Sequence, residues 1–372
     1  MNPALQKTLS LLLLIVIGFL LKSKIKSKEQ MKGIKTLILA IALPATIFVA
    51  LLKVEFNPSL FYLPLFALLI NGALFFLIKW GMPWFGLNAN SKDGRTVNML
   101  FASLAPGLSC FPFLMEYGTE ESLAFAALAD VGNKVFVLVI LYLIAMKWHF
   151  QQQQSEAQSK SSRLKGLVLS LVKEPVNLAI IVALIMLNIG WNIHSLPTFL
   201  QDPIQRMSLL MTPMVLMFIG MAVKIDLKQF KTIGILLVFR SALGFLLSGL
   251  FLLFFPAGIS AALALVLVAF PQSAASFWPF AHMSVISDNE ADRKHKTFNV
   301  DLALNFLALS LPFSIVVILS ISVFPGFFTS ASHTLLIGAC LLLSLIIPKV
   351  LNQIRNKVRA ISIPKKKTAE SS

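Results

Sequence analysis

Few charged or hydrogen-bonding side chains interrupt the long apolar stretches of this sequence, and their spacing lets several of them act together. Asp130, Asn133 and Lys134 fall within little more than one helical turn. Asp130 and Lys134, four residues apart, share a helix face and can pair. Asp301 and Asn305 repeat the theme later in the chain. A lone charge deep in lipid costs at least ~2.5–3.5 kcal/mol, so each of these groups needs a partner, water or a ligand. Two readings of Asp130 and Lys134 stand side by side: a pair that responds to protons or substrate, or a structural ion pair that holds its helix to the one before. Asp301 and Asn305 divide in the same way between coupling and support of a neighbouring helix.

Two proline-bounded segments carry the remaining candidates. The first runs from Ala105 to Phe113 and contains Pro106, Gly107, Ser109, Cys110 and Pro112; the second runs from Phe270 to Phe280 and contains Pro271, Gln272, Ser273, Ser276 and Pro279. Each proline removes a backbone donor and clashes with the carbonyl one turn back. Two within one apolar span, with small residues between, predict a broken helix. Backbone groups freed in this way cannot face lipid and must line a cavity or be covered by neighbours. Half-helix N-termini at such a break offer partial positive charge and N–H groups to an anion. The plainer alternative is a packing kink, since proline is common in membrane helices. Asn71 and His282 read as an interhelical hydrogen-bond donor and an interfacial residue, and Arg240 as a cation reaching towards headgroups. No phosphate-binding loop, His-Glu-x-x-His zinc helix or Gly-x-Ser-x-Gly elbow is present, so no enzyme and no cofactor are expected. The two cysteines, Cys110 and Cys340, lie in apolar runs and read as packing residues.

The elements that must position these residues follow from composition. Hydrophobic residues make up 57% of the 372 and charged residues 13%, against about 25% charged in an ordinary soluble domain. Apolar runs suited to spanning a bilayer, the first and last of them short, occur near 8–21, 33–52, 59–78, 97–115, 122–146, 176–193, 207–223, 232–255, 258–282, 298–323 and 333–348. The net charge of +16 is concentrated in alternate gaps, after the odd-numbered spans. That distribution excludes nucleic acid as the reason for the charge and predicts an outside N-terminus and a cytoplasmic C-terminus. The glutamine- and serine-rich stretch 148–175 reads as a solvated cytoplasmic linker.

The two halves share an order of features. Pro44 precedes the exit Lys53-Val54-Glu55, and Pro213 precedes Lys224-Ile225-Asp226; the double-proline spans and the Asp-plus-Asn spans follow in each half. An offset of five spans requires the second half to insert upside down. Inverted repeats with interrupted helices in corresponding places point to a secondary transporter. The expected division is a first five-helix repeat over 1–147, the linker 148–175, a second repeat over 176–325, an additional helix over 326–349 and a basic tail over 350–372. The fold class is thus all-α and polytopic, with about ten helices in two inverted repeats, broken fourth and ninth helices that cross, and one extra C-terminal helix.

Ala42-Leu43-Pro44-Ala45-Thr46-Ile47-Phe48, Ala129-Asp130-Val131-Gly132-Asn133-Lys134, Phe218-Ile219-Gly220-Met221-Ala222, the Pro271 segment and Asn299–Pro312 together resemble the auxin efflux carrier family of permeases. The resemblance implies a crossover at Pro106, Pro112 and Pro271 with Asn133 close by, a scaffold of helices one, two, six and seven, and a mobile transport domain from the others. It further implies a small organic anion, such as a carboxylate or auxin-like weak acid, moved by alternating access. Two departures stand out: the eleventh span, and Ala105–Ser109 without the asparagine often found there. Coupling to H+ or Na+ is open, as is self-association into a homo-oligomer. The expected partners are the anion and the lipid bilayer of the cell (inner) membrane. The competing readings are a membrane receptor that binds without transport and a sodium/bile-acid-type symporter.

Overall fold

The computed structural model describes residues 3–25, 27–52, 62–154, 175–222, 227–254, 259–290 and 296–362, and among them every regular element is helical. We number eleven helical units in chain order. They are α1 (Pro3–Leu21), α2 (Lys28–Leu37, a π-turn at Ile38–Ala42, then Leu43–Leu52), α3 (Tyr62–Gly81), α4 (Lys92–Phe101, then Pro106–Ser109 and Phe111–Tyr117) and α5 (Glu120–Val135, a π-turn at Phe136–Ile140, then Leu141–Gln154). The second set is α6 (Pro175–Asn188), α7 (Thr198–Ala222), α8 (Leu227–Phe254), α9 (Ala261–Ala269, a 3-10 turn at Phe270–Gln272, then Phe277–Asn289), α10 (Val300–Val323) and α11 (Ala331–Ser362).

Among the described residues, six of these units are long and apolar enough to cross a membrane: α3, α5, α7, α8, α9 and α10. Shorter apolar helices, Leu9–Leu21 and Ala331–Ile347, lie in α1 and α11. The others expected as spans fall short for visible reasons. α2 begins with the polar turns Lys28–Leu37, α4 is interrupted and opens on Lys92, Asp93 and Arg95, and α6 has 14 described residues. Several helices outrun their apolar cores. α5 continues to Gln154, inside the stretch read as linker, while 155–174 lie outside the described residues. α7 begins at Thr198 and α11 reaches Ser362.

Helix starts are fixed by short polar side chains that accept from otherwise unpaired backbone N–H groups. Ser27 and Thr119 form capping boxes at α2 and α5, and Ser91, Ser260 and Asn299 cap α4, α9 and α10. The π-turn of α2 lies directly before Pro44, where the missing donor and the ring clash are absorbed by a widened turn.

Two groups of helices pack among themselves. α1 lies along α7, and α2 packs on α6 and α7. On the other side α3 packs on α5, α8 on α10 and α11, and α9 on α5, α8 and α10. Glycine sets the closest approaches, as in other membrane helix pairs. A Cβ on Gly18 would sit 2.1 Å from the Met217 carbonyl oxygen and one on Gly220 2.0 Å from that of Ile15, so α1 and α7 meet backbone to backbone. A Cβ on Gly132 would meet the Pro64 carbonyl oxygen at 1.9 Å, which fixes α3 against α5.

The second group is clasped at one end by a buried carboxylate. Glu290, just past α9, takes His149 Nδ1 of α5 at 2.6 Å and accepts from the Thr297 N–H at 2.8 Å and from its hydroxyl. The Thr297 carbonyl accepts from Arg95 Nε of α4 at 3.0 Å. Burial alone would push the Glu290 carboxyl up, but the hydrogen bonds from His149 and Thr297 outweigh it and hold the group below its ordinary value of 4.5. A depressed carboxyl stabilises the fold above its unfolded pKa, and that contribution is lost as the pH falls through the folded value. Glu290→Gln is therefore expected to destabilise the purified protein by about 1–3 kcal/mol at neutral pH. Thermal melts from pH 7.5 downwards check this: the gap between wild type and variant should be full above about pH 4.5 and narrow below it.

Candidate functional site

The two interrupted helices meet at their breaks. α4 stops at Phe101, runs irregularly through Ala105 and resumes at Pro106. α9 tightens into its 3-10 turn at Phe270–Gln272, extends through Ser273–Ser276 and resumes at Phe277. Pro106 begins a helical segment and Pro271 lies in the 3-10 turn, whereas Pro112 and Pro279 occupy the first turn of the helices that follow. A first-turn proline loses an N–H that has no intrahelical partner anyway. Pro106, Pro112 and Pro279 thus help the chain restart after the breaks, and Pro271 lies in the turn where α9 is interrupted.

Many of the backbone groups freed by the breaks have an identifiable partner. The Ala105 N–H donates to the Ala274 carbonyl at 2.8 Å, joining the two helices directly. The Ala274 N–H donates to Ser109 Oγ at 2.8 Å, the Ala275 N–H to Ser310 Oγ at 3.2 Å and the Ser276 N–H to Ser103 Oγ at 3.1 Å. Three carbonyls are capped by one side chain from α8. Arg240 donates from Nε to the Phe101 oxygen at 2.8 Å, from Nη1 to Ser273 at 2.7 Å and from Nη2 to Ser103 at 2.6 Å. Gln272 is held to the same helix: its Oε1 accepts from Ser241 at 2.7 Å and its Nε2 donates to the Ser241 carbonyl. Gly244 leaves the room, since a Cβ there would lie 2.7 Å from Gln272 Nε2.

The polar residues of α5 close the other side. Asn133 Nδ2 donates to the Leu104 carbonyl at 3.0 Å and to Asp130 Oδ1 at 2.8 Å, and its Oδ1 accepts from Asn71 of α3 at 2.9 Å. Both amide hydrogens and the oxygen are thereby engaged. Asp130 Oδ2 pairs with Lys134 Nζ at 3.1 Å. The Asp130 side chain is 9% exposed and that of Lys134 28%, so the ammonium is the member with free surface.

These residues border a cavity of about 260 Å³ between the two helix groups, close to the small end of the roughly 300–1,000 Å³ of ligand pockets. Leu104–Leu108 of the α4 break, Asp130, Asn133 and Lys134 of α5, and Ser276, Phe277 and Trp278 of α9 form one wall. Thr46 of α2 with Met211, Thr212, Val215 and Leu216 of α7 forms the other. The wall is mostly apolar, with an ammonium, a carboxylate, an amide and the three hydroxyl residues Thr46, Thr212 and Ser276 among its lining. It can hold a small ligand with an apolar body and a polar or charged end.

Of the residues singled out from sequence, Pro106, Ser276, Asp130, Asn133 and Lys134 line this cavity. Ser109 and Ser273 sit behind it in the break, with their hydroxyls turned to the Ala105 and Phe270 carbonyls, and Pro112, Pro271 and Gln272 are buried nearby without lining it. Asp301 and Asn305 are not brought to it. Asp301 is exposed in the first turn of α10, and Asn305 donates to Gln229 of α8. Two sequence readings need correction. Arg240 does not reach for headgroups but is buried in the crossing, and His282 is buried against the Val137 carbonyl and Tyr142 rather than at an interface. A signal for Arg240 existed: it lies 13 residues into α8, about 20 Å along the axis, too deep for its side chain to reach the helix start. The serines 103 and 310 and the α7 wall carried no such signal.

Residues 3–282 match the profile of a family described as membrane transport protein. No curated protein matches the chain. The matched range takes in the α4 break, the Asp130–Lys134 stretch, the α7 wall and the α9 break, and it ends within α9. It also contains every segment on which the resemblance rests except Asn299–Pro312. The chain is an integral membrane protein and belongs to this family of transporters, the auxin efflux carrier family.

Proposed function

We propose that this protein is a secondary carrier that moves a small organic anion, such as a monocarboxylate, by alternating access. The observation that carries the reading is the cavity at the meeting of the two broken helices, where Lys134 presents an ammonium beside the cap of the inner half of α9. A carboxylate there would find Lys134, the Ser276 hydroxyl and the Phe277 N–H at the resumed helix end, while Phe277, Trp278, Met211 and Leu216 take its apolar body. Asp130 and Asn133 are braces in this reading. They position Lys134 and the α4 break and do not take the ligand themselves. The carrier runs on gradients, with H+ or Na+ as candidate coupling ions.

In the same proposal α1–α5 and α6–α10 are inverted repeats over 1–147 and 176–325, joined by the 148–175 linker and followed by the α11 anchor and a basic tail. The support is positional: α2 and α7 carry Pro44 and Pro213, and α4 and α9 are the interrupted members of each set. The N-terminus lies outside and the cationic gaps lie in the cytoplasm. α1, α2, α6 and α7 form the scaffold and the others the moving part. The ion pair between Lys35 of α2 and both oxygens of Asp288 in α9, at 2.9 and 2.8 Å, then bridges the two parts at their cytoplasmic ends.

Reconstitution in liposomes tests the function. Saturable uptake of a labelled member of a carboxylate panel is expected under imposed pH or sodium gradients, with uptake by Lys134→Ala reduced at least about tenfold. If folded Lys134→Ala transports as wild type, the site is wrong; if no member of the panel is carried, so is the substrate class. The Lys35–Asp288 contact gives a second check. A reducible bifunctional thiol reagent joining Lys35→Cys to Asp288→Cys across the length of the lost lysine side chain should arrest flux, and a reductant should restore it. Unimpaired flux through the cross-linked protein would show that these ends need not separate.

A further inference from the structure

The crossing poses an electrostatic problem that the cavity wall alone does not solve. Where a helix is interrupted, the C-terminal end of its first half carries roughly half a negative charge, and the N-terminal end of its second half roughly half a positive one. Facing ends cancel, and a ligand beside them experiences little field of either sign. The charged side chains of the cavity also cancel, because Asp130 and Lys134 pair with each other at 3.1 Å.

We infer that Arg240 sets the sign of this site and is its anion-specificity residue, acting through the helix ends without touching the ligand. Its guanidinium binds the carbonyls at the C-terminal ends of both first halves: Phe101 and Ser103 after the ten-residue start of α4, and Ser273 after the 3-10 turn of α9. It is 3% exposed, and no ion pair among the described residues includes it. One full positive charge thus offsets the two negative helix ends. The N-terminal end of the 13-residue inner half of α9, which opens at Ser276 and Phe277 on the cavity wall, keeps its positive field. A fork of three donors in one plane is a task for arginine; lysine would keep the charge but not the geometry.

The inference rests on the anion-carrier reading and separates from it by experiment. Full-length protein in liposomes is assayed with labelled phenylacetate and with the uncharged phenylacetamide as competitor, and the preference is the ratio of their half-saturation concentrations. Wild type should prefer the carboxylate. Arg240→Gln should lower that preference by at least about tenfold, chiefly through the carboxylate, while Arg240→Lys keeps it within about threefold despite a lower melting temperature. Should Arg240→Gln not fold, Ser241→Asp places a compensating carboxylate on the next residue and should lower the preference in the same way. A folded Arg240→Gln or Ser241→Asp protein with the wild-type preference overturns the inference alone. A wild type without preference for the carboxylate overturns the reading beneath it.

Discussion

An interrupted helix in a low-dielectric surrounding must find a partner for each backbone N–H and carbonyl it exposes, and the rest of this structure depends on that constraint. Water cannot supply the partners in lipid, and each unmet group costs several kcal/mol. Here they come from short serines, from the opposing break and from one arginine. Ser103, Ser109 and Ser310 accept from three consecutive N–H groups of the α9 break, the Ala274 carbonyl accepts from Ala105, and Arg240 covers three carbonyls. The two breaks stabilise each other, so neither helix could be interrupted alone without leaving its polar groups bare.

That arrangement divides the polar residues into those with spare capacity and those without. Asn133 has committed both amide hydrogens and its oxygen, and Asp130 has each oxygen engaged. Gln272 is turned away into α8. Lys134 is different: an ammonium has three donors, a single carboxylate contact is present, and part of its surface is free. Residue type alone puts forward Ser109, Gln272, Ser273, Ser276 and Asn133 as polar binding candidates, and Asp130 and Lys134 as a coupling or structural pair. Hydrogen-bond capacity reduces them to Lys134, Ser276 and the adjoining backbone.

What could be read from the sequence follows the same line. Helical interruptions at Pro106 and Pro271 were legible because proline acts locally on its own backbone. The Asp130–Lys134 pair was legible because both residues lie on one helix, four apart. Asp301 and Asn305 match Asp130 and Asn133 only by their order in the two halves; α10 starts at Val300, so Asp301 sits at an exposed helix end and Asn305 turns to α8. The α7 wall could not be read, since Met211, Thr212, Val215 and Leu216 become a cavity surface only once α7 is set against the breaks. Arg240 was misread because its partners are backbone carbonyls 33 to 139 positions away, and a carbonyl has no signature in the sequence.

The distribution of tight and loose contacts also bears on how such a site could be opened. Within each helix group the packing is unforgiving: Gly18 and Gly220 bring α1 and α7 into backbone contact, Gly132 does the same for α5 and α3, and Glu290 ties together α4, α5, α9 and the start of α10. Across the seam the contacts are of another kind. Phe218 of α7 meets Phe280 of α9 ring to ring at 6.2 Å, and Lys35 reaches Asp288 at the end of a long side chain. Apolar rings slide with little directional penalty, and a partly exposed ion pair exchanges readily with water. Backbone-to-backbone contacts at glycine do neither. Relative motion therefore meets least resistance along the surface that contains the cavity. The alternating-access cycle proposed above would use that surface, with two firm bodies shifting past each other and the meeting of α4 and α9 kept intact inside one of them.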